Sequence, residues 1–109
     1  KAFGFAARFL HESGTYGELN TGETTLAFAA HALGDMNFPG GHVEASSSKI
    51  PLGMEIAFVT TSVQDAHSKA LAAGAVELKA PESKPWGQIV SYVRCPDGTL
   101  VELCSPIAS

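Results

Sequence analysis

Arg94-Cys95-Pro96-Asp97-Gly98-Thr99-Leu100-Val101-Glu102-Leu103-Cys104-Ser105-Pro106 holds a turn, a strand and one acid among apolar neighbours. Asp97 and Gly98 suit a tight turn, because glycine accepts positive φ and aspartate bonds nearby backbone. Thr99 to Cys104 is rich in residues that fit a pleated surface. In a strand, Leu100, Glu102 and Cys104 share one face, and Val101 and Leu103 share the other. A carboxylate in such a run needs a partner or a cavity, so the remaining chain is read for what Glu102 faces.

Working outward, Gln88 to Arg94 is the strand before the turn, and Ala80 to Gly87 is a connection holding Trp86. Ala75 to Lys79 is another strand. Before it, Thr60-Thr61-Ser62 offers an N-cap, and Val63, Ala66, Ala70 and Ala73 recur at helical spacing until Gly74 stops the helix. Met54 to Val59 is a strand. The second half thus reads strand, helix, strand, strand, strand.

Residues 33–53 have linker composition, with Gly34, Asp35, Asn37, Pro39, Gly40, Gly41, Ser46 to Ser48, Pro51 and Gly53. Met36 and Phe38 within them are apolar and are expected to fold back over a cavity. Upstream, Ala6 to Glu12, Tyr16 to Asn20 and Thr24 to Ala30 read as an antiparallel meander, with turns at Ser13-Gly14 and Asn20 to Glu23. Lys1 to Phe5 reads as the tail of a helix stopped by Gly4. Residues 22–28 can be laid on residues 97–103, so the first half repeats the second without its opening strand and most of its helix.

The totals fit one folded domain: 109 residues, 45% hydrophobic, 17% charged and a net charge of −4. No basic run is present, which argues against nucleic acid and against an anionic membrane surface as partners. No apolar stretch approaches a membrane span, and no leader opens the residues at hand. Cys95 and Cys104 do not form a C-x-x-C pair and are read as reduced thiols of a cytoplasmic protein.

The repeated βαβββ pattern, with Pro96 to Leu103 closing the second unit and Lys84-Pro85-Trp86-Gly87-Gln88 before its third strand, resembles the vicinal oxygen chelate superfamily. That group includes glyoxalases, bleomycin-resistance proteins and extradiol dioxygenases. The resemblance implies an α+β fold: two βαβββ units forming a curved mixed sheet around a cavity, the first truncated at its N-terminus. It divides the domain into residues 1–32 (truncated unit), 33–53 (linker) and 54–109 (second unit). Metal-dependent members take ligands from the first and last strands of each unit. Glu55 and Glu102 fall on those positions in the second unit. Ala27 falls on the last-strand position of the first, and the remaining position is not in the sequence.

Alternation places Glu55 and Glu102 on one side of the sheet, where two carboxylates in a partly apolar hollow repel and raise a pKa. They hold a divalent metal, or they line a pocket for a small-molecule ligand with no metal. A metal centre usually takes at least three protein ligands, so a partner chain, His31 or His42 would have to complete it. Trp86, Phe28, Tyr92 and Cys104 are the other candidate pocket residues. No cofactor is certain, and a divalent metal remains open. His11, His31, His42 and His67 show no paired metal spacing and are expected to be solvated, with His67 on the helix surface. The apolar edge left beside Thr24 to Ala30 predicts a homodimer. Three functions remain: a ligand-binding protein, a metal-dependent lyase or dioxygenase, and a non-catalytic antibiotic-sequestering protein.

Overall fold

The computed structural model describes residues 3–107. They divide into two compact units, residues 4–44 and residues 45–107 with Phe3. The division falls inside the 33–53 segment.

In residues 4–44, β1 (Ala6–Leu10), β2 (Tyr16–Asn20) and β3 (Leu26–Ala29) form an antiparallel meander with β2 in the middle. Its turns use Gly14 and Gly22, at φ of 73° and 101°. Lys1 and Ala2, in the expected helix tail, lie outside the described residues. Phe3 is in a turn, and Gly4 has a φ of 74°.

A short helix, α1 (His31–Asn37), follows β3 and runs from the end of the expected first unit into the residues expected to be linker. Its composition hid it: Gly34, Asp35 and Asn37 are poor helix formers. The Ala30 carbonyl starts it by accepting from the amides of Leu33 and Gly34. Met36 and Phe38 do not fold back over a cavity but are exposed. A single 3-10 turn spans Ala45–Ser47.

Residues 45–107 contain β4 (Glu55–Val59), α2 (Val63–Ala72), β5 (Val76–Ser83), β6 (Ile89–Arg94) and β7 (Leu100–Cys104). The strands lie in the order β4-β7-β6-β5, with β4 parallel to β7 and the other neighbours antiparallel. This is a βαβββ arrangement, as the second half of the sequence predicts. β5 extends past the expected Lys79 through Pro81 to Ser83. Proline is tolerated there because β5 is an edge strand whose register slips between Lys79 and Glu82.

α2 packs on one face of this sheet. Val63 and Ala70 of the helix meet Val93, Val101 and Leu103, with Phe58 beside them. The rings of Phe3 and Phe58 lie 5.1 Å apart. His67 lies on this buried stripe and not on the helix surface as expected; it is 2% exposed. A buried imidazole needs partners. Its Nδ1 is 2.9 Å from Ser91 Oγ and its Nε2 is 2.7 Å from Glu77 Oε2, so it ties α2 to β6 and β5. Ser91 is fully buried under the helix, so this Ser-His-Glu arrangement has no access for a substrate.

Candidate functional site

Alternation along β4 and β7 leaves Glu55, Ala57, Leu100, Glu102 and Cys104 on the sheet face away from α2. The register sets Ala57 beside Glu102, Tyr92 beside Glu102 and Val90 beside Cys104. Glu55 is therefore one diagonal step from Glu102 on the neighbouring strand, within reach of its side chain.

The Tyr92 hydroxyl donates to Glu102 Oε1 at 3.0 Å. Glu55 and Cys104 lie on the same face, Glu55 on the neighbouring strand and Cys104 two residues along β7. The Cys104 thiol lies 3.7 Å from the Phe58 carbonyl oxygen. Each neighbour is pushed toward its protonated form. Burial, then the nearby Glu102, raises Glu55 above its ordinary value. Burial followed by Glu102 pushes Tyr92 up to about 12. Burial followed by Glu102 also raises Cys104. The neighbouring Glu102 carboxyl disfavours ionisation of Glu55.

Beside the carboxyl pair is an open hollow of about 200 Å³, lined mainly by Leu52, Met54, Ile56, Leu100 and Gly98 with Glu55 at its polar side. The Pro96-Asp97-Gly98 turn shapes it. Gly98 donates its amide to the Cys95 carbonyl at 2.8 Å, and Thr99 donates its amide to Asp97 Oδ1 at 3.0 Å. Gly98 has a φ of 93°, and a Cβ there would stand 2.3 Å from the Ala45 carbonyl carbon. Only glycine fits both conditions.

Arg94 holds the other wall, a role the sequence reading missed. Its guanidinium donates to the carbonyls of Ala45 and Ser48, both at 2.7 Å, and its Nε donates to the Gly98 carbonyl at 3.3 Å. A planar fork of donors suits several carbonyls at once. A charged residue at the end of a strand before a turn was the only available signal.

The structure thus brings Glu55, Glu102, Tyr92 and Cys104 together. Trp86 is elsewhere. It lies in the β5–β6 turn, is 60% exposed and donates its indole N–H to Gln88 Oε1 at 2.6 Å. Gln88 in turn donates to the Ser105 carbonyl, which places Trp86 at the opposite end of β7 from the hollow. Phe28 lies on β3 in the other unit and is exposed. There Ala27, the counterpart of Glu102, sits across from Glu18. Glu18 accepts from the Tyr16 hydroxyl at 2.8 Å and lies 3.7 Å from Arg8 Nε. This Tyr-Glu pair was also missed, because the repeat directs attention to the strand that carries Ala27.

Among the described residues, no group of three or more His, Cys, Asp and Glu side chains is placed to hold a metal ion. Glu55 and Glu102 are two ligands where a catalytic centre of this kind takes at least three. The residues described do not fit such a centre.

No protein-family model matches the sequence, and no curated protein matches it. Solved structures do match in fold. A glyoxalase-related enzyme from Fulvimarina pelagi is 23% identical with a TM-score of 0.79, over 96% of this chain and 73% of that one. A glyoxalase/bleomycin resistance protein/dioxygenase family enzyme from Burkholderia phytofirmans PsJN is 21% identical with a TM-score of 0.73, over 98% and 83%. A bleomycin resistance determinant encoded on the transposon Tn5 is 22% identical with a TM-score of 0.60, over 98% and 82%. No helix among the described residues is long and apolar enough to cross a membrane. The chain has the α+β fold of the glyoxalase/bleomycin resistance/dioxygenase superfamily, the vicinal oxygen chelate architecture.

Proposed function

We propose that the chain binds a small organic molecule on the β4–β7 face, with a cationic or donor-rich group against Glu102 and Glu55 and an apolar body in the adjoining hollow. The observation that carries this reading is the Glu102 carboxylate, which accepts from Tyr92 and neighbours Glu55 beside a largely apolar cavity. Apolar walls with a few convergent polar groups are the usual composition of a small-molecule site.

The ligand-binding reading is favoured over the metal-dependent lyase or dioxygenase because the carboxyl pair supplies two ligands and holds its neighbours protonated. Sequestration of a cationic antibiotic is one form of the same reading, in keeping with the likeness to the Tn5 determinant. The homodimer belongs to the proposal too: β3 is an edge of its sheet with Phe28 exposed, and a second copy would cover it. Sedimentation of a well-folded monomer would sink the dimer alone. The binding reading is tested by calorimetric titration with phenethylamine. Saturable heat that is lost in Glu102→Gln supports it; no heat, or heat unchanged in Glu102→Gln, contradicts it.

A further inference from the structure

The hollow beside Glu55 has two kinds of wall. Glu55, Ile56 and Leu100 are fixed by the parallel ladder between β4 and β7. Ala45, Leu52 and Met54 belong to a segment that precedes β4 and lies outside the sheet. Side chains on such a segment keep their place only if something ties its backbone down.

Arg94 supplies such a tie. It pairs with Leu100 in the β6–β7 register. Its guanidinium donates to three carbonyls of the segment, Ala45 and Ser48 at 2.7 Å and Lys49 at 3.4 Å, and its Nε donates to the Gly98 carbonyl at 3.3 Å. Two of these four residues, Ala45 and Gly98, line the hollow themselves. Their backbones meet with no side chain between them: a Cβ on Gly98 would stand 2.4 Å from the Ala45 oxygen and from the Ser46 nitrogen. Within the segment, Ser48 donates its amide to the Ala45 carbonyl at 3.3 Å and its hydroxyl to the Ile50 carbonyl at 2.6 Å, which carries the tie toward Leu52. Bonds from an ionised donor are stronger than neutral ones, and a planar fork serves several carbonyls at once.

We propose that Arg94 is a positioning residue that sets which amines the hollow prefers. It acts through residues 45–52, which it holds as the wall against which an apolar body packs. It therefore adds affinity for amines that carry such a body and none for amines that lack one. The proposal rests on the binding reading above, with the charged group at Glu102. Removing the Arg94 charge strengthens every monovalent amine alike, so the ratio of two amine affinities isolates the wall from the charge.

The test compares phenethylamine with ethylamine, which has the same charge and no ring, by calorimetry on the wild type and on Arg94→Met. The wild type should prefer phenethylamine by about tenfold, and Arg94→Met should erase most of that preference. Trypsin reads the wall without ligand. Cleavage after Lys49, in the segment, should be about tenfold faster in Arg94→Met, and cleavage after Lys69, inside α2, should not change. No wild-type preference, an unchanged ratio, an unchanged rate at Lys49 or an equal rise at Lys69 overturns the proposal and leaves the binding reading standing. A wild type that binds neither amine overturns both. Should Arg94→Met not fold, the wild type decides: at equal occupancy phenethylamine should slow cleavage after Lys49 more than ethylamine does, and equal protection overturns the proposal.

Discussion

The Tyr92 hydroxyl donates a 3.0 Å hydrogen bond to Glu102 Oε1 across adjacent antiparallel strands. The phenol loses that bond on ionising and would then face a carboxylate. Glu102→Gln should therefore move Tyr92 down from about 12, but only part of the way, because burial comes first among the causes. Ultraviolet titration of the phenols reads this, with Tyr16→Phe in the background to leave a single signal. An unchanged Tyr92 midpoint would contradict the assignment.

Glu55 gives stability a pH dependence with a defined sign. Its folded value is raised above the ordinary 4.5. Between that value and the raised one, the folded chain binds more protons than the unfolded chain. The contribution of Glu55 is therefore fully present below pH 4.5 and is lost as pH rises through the folded value. Glu55→Gln should melt higher than the wild type at pH 7, and the difference should vanish below pH 4.5. A wild-type advantage at pH 7 would reverse the sign and refute the pair.

Much of this was legible from local chemistry. The alternation of Leu100 to Cys104 placed Glu102 on the face away from α2, and Pro96-Asp97-Gly98 announced the turn. Glu55 followed from alternation along its strand and from the first-strand position the resemblance implies. What was illegible depended on long-range meetings. His67 looks like a solvated helix residue until Ser91 and Glu77, on two other strands, are seen to satisfy it. His31 and His42 are 11 residues apart in sequence, and only α1 with the loop after it brings the rings together. Trp86, whose place before a strand suggested a pocket wall, is held by its turn at the far end of β7 from the hollow.

Gly98→Ala and Gly14→Ala separate backbone strain from steric contact. Both glycines have positive φ, but a Cβ meets nothing within 4 Å at Gly14 and backbone at 2.3 Å at Gly98. Denaturant unfolding should show a loss of about 1 kcal/mol for Gly14→Ala and ~3 kcal/mol for Gly98→Ala. Equal losses would mean that Ala45 does not press on the turn.

His67→Ala should cost about 2–4 kcal/mol, because it opens a cavity and strands the Ser91 hydroxyl. Ser91→Ala should cost less, since Glu77 still holds the ring. Thermal melts of the two variants compare them. A smaller loss for His67→Ala would show that the imidazole does not secure α2.

The most direct test of the β4–β7 face as a ligand site is a pair of nitrogen-15 shift titrations, with phenethylamine and with phenylacetate, which share a ring and differ in charge. The account predicts that the amine shifts the amides of Tyr92, Leu100 and Glu102, that the acid leaves them in place, and that Glu102→Gln abolishes the amine response. Equal shifts with the acid, or none with the amine, would contradict it.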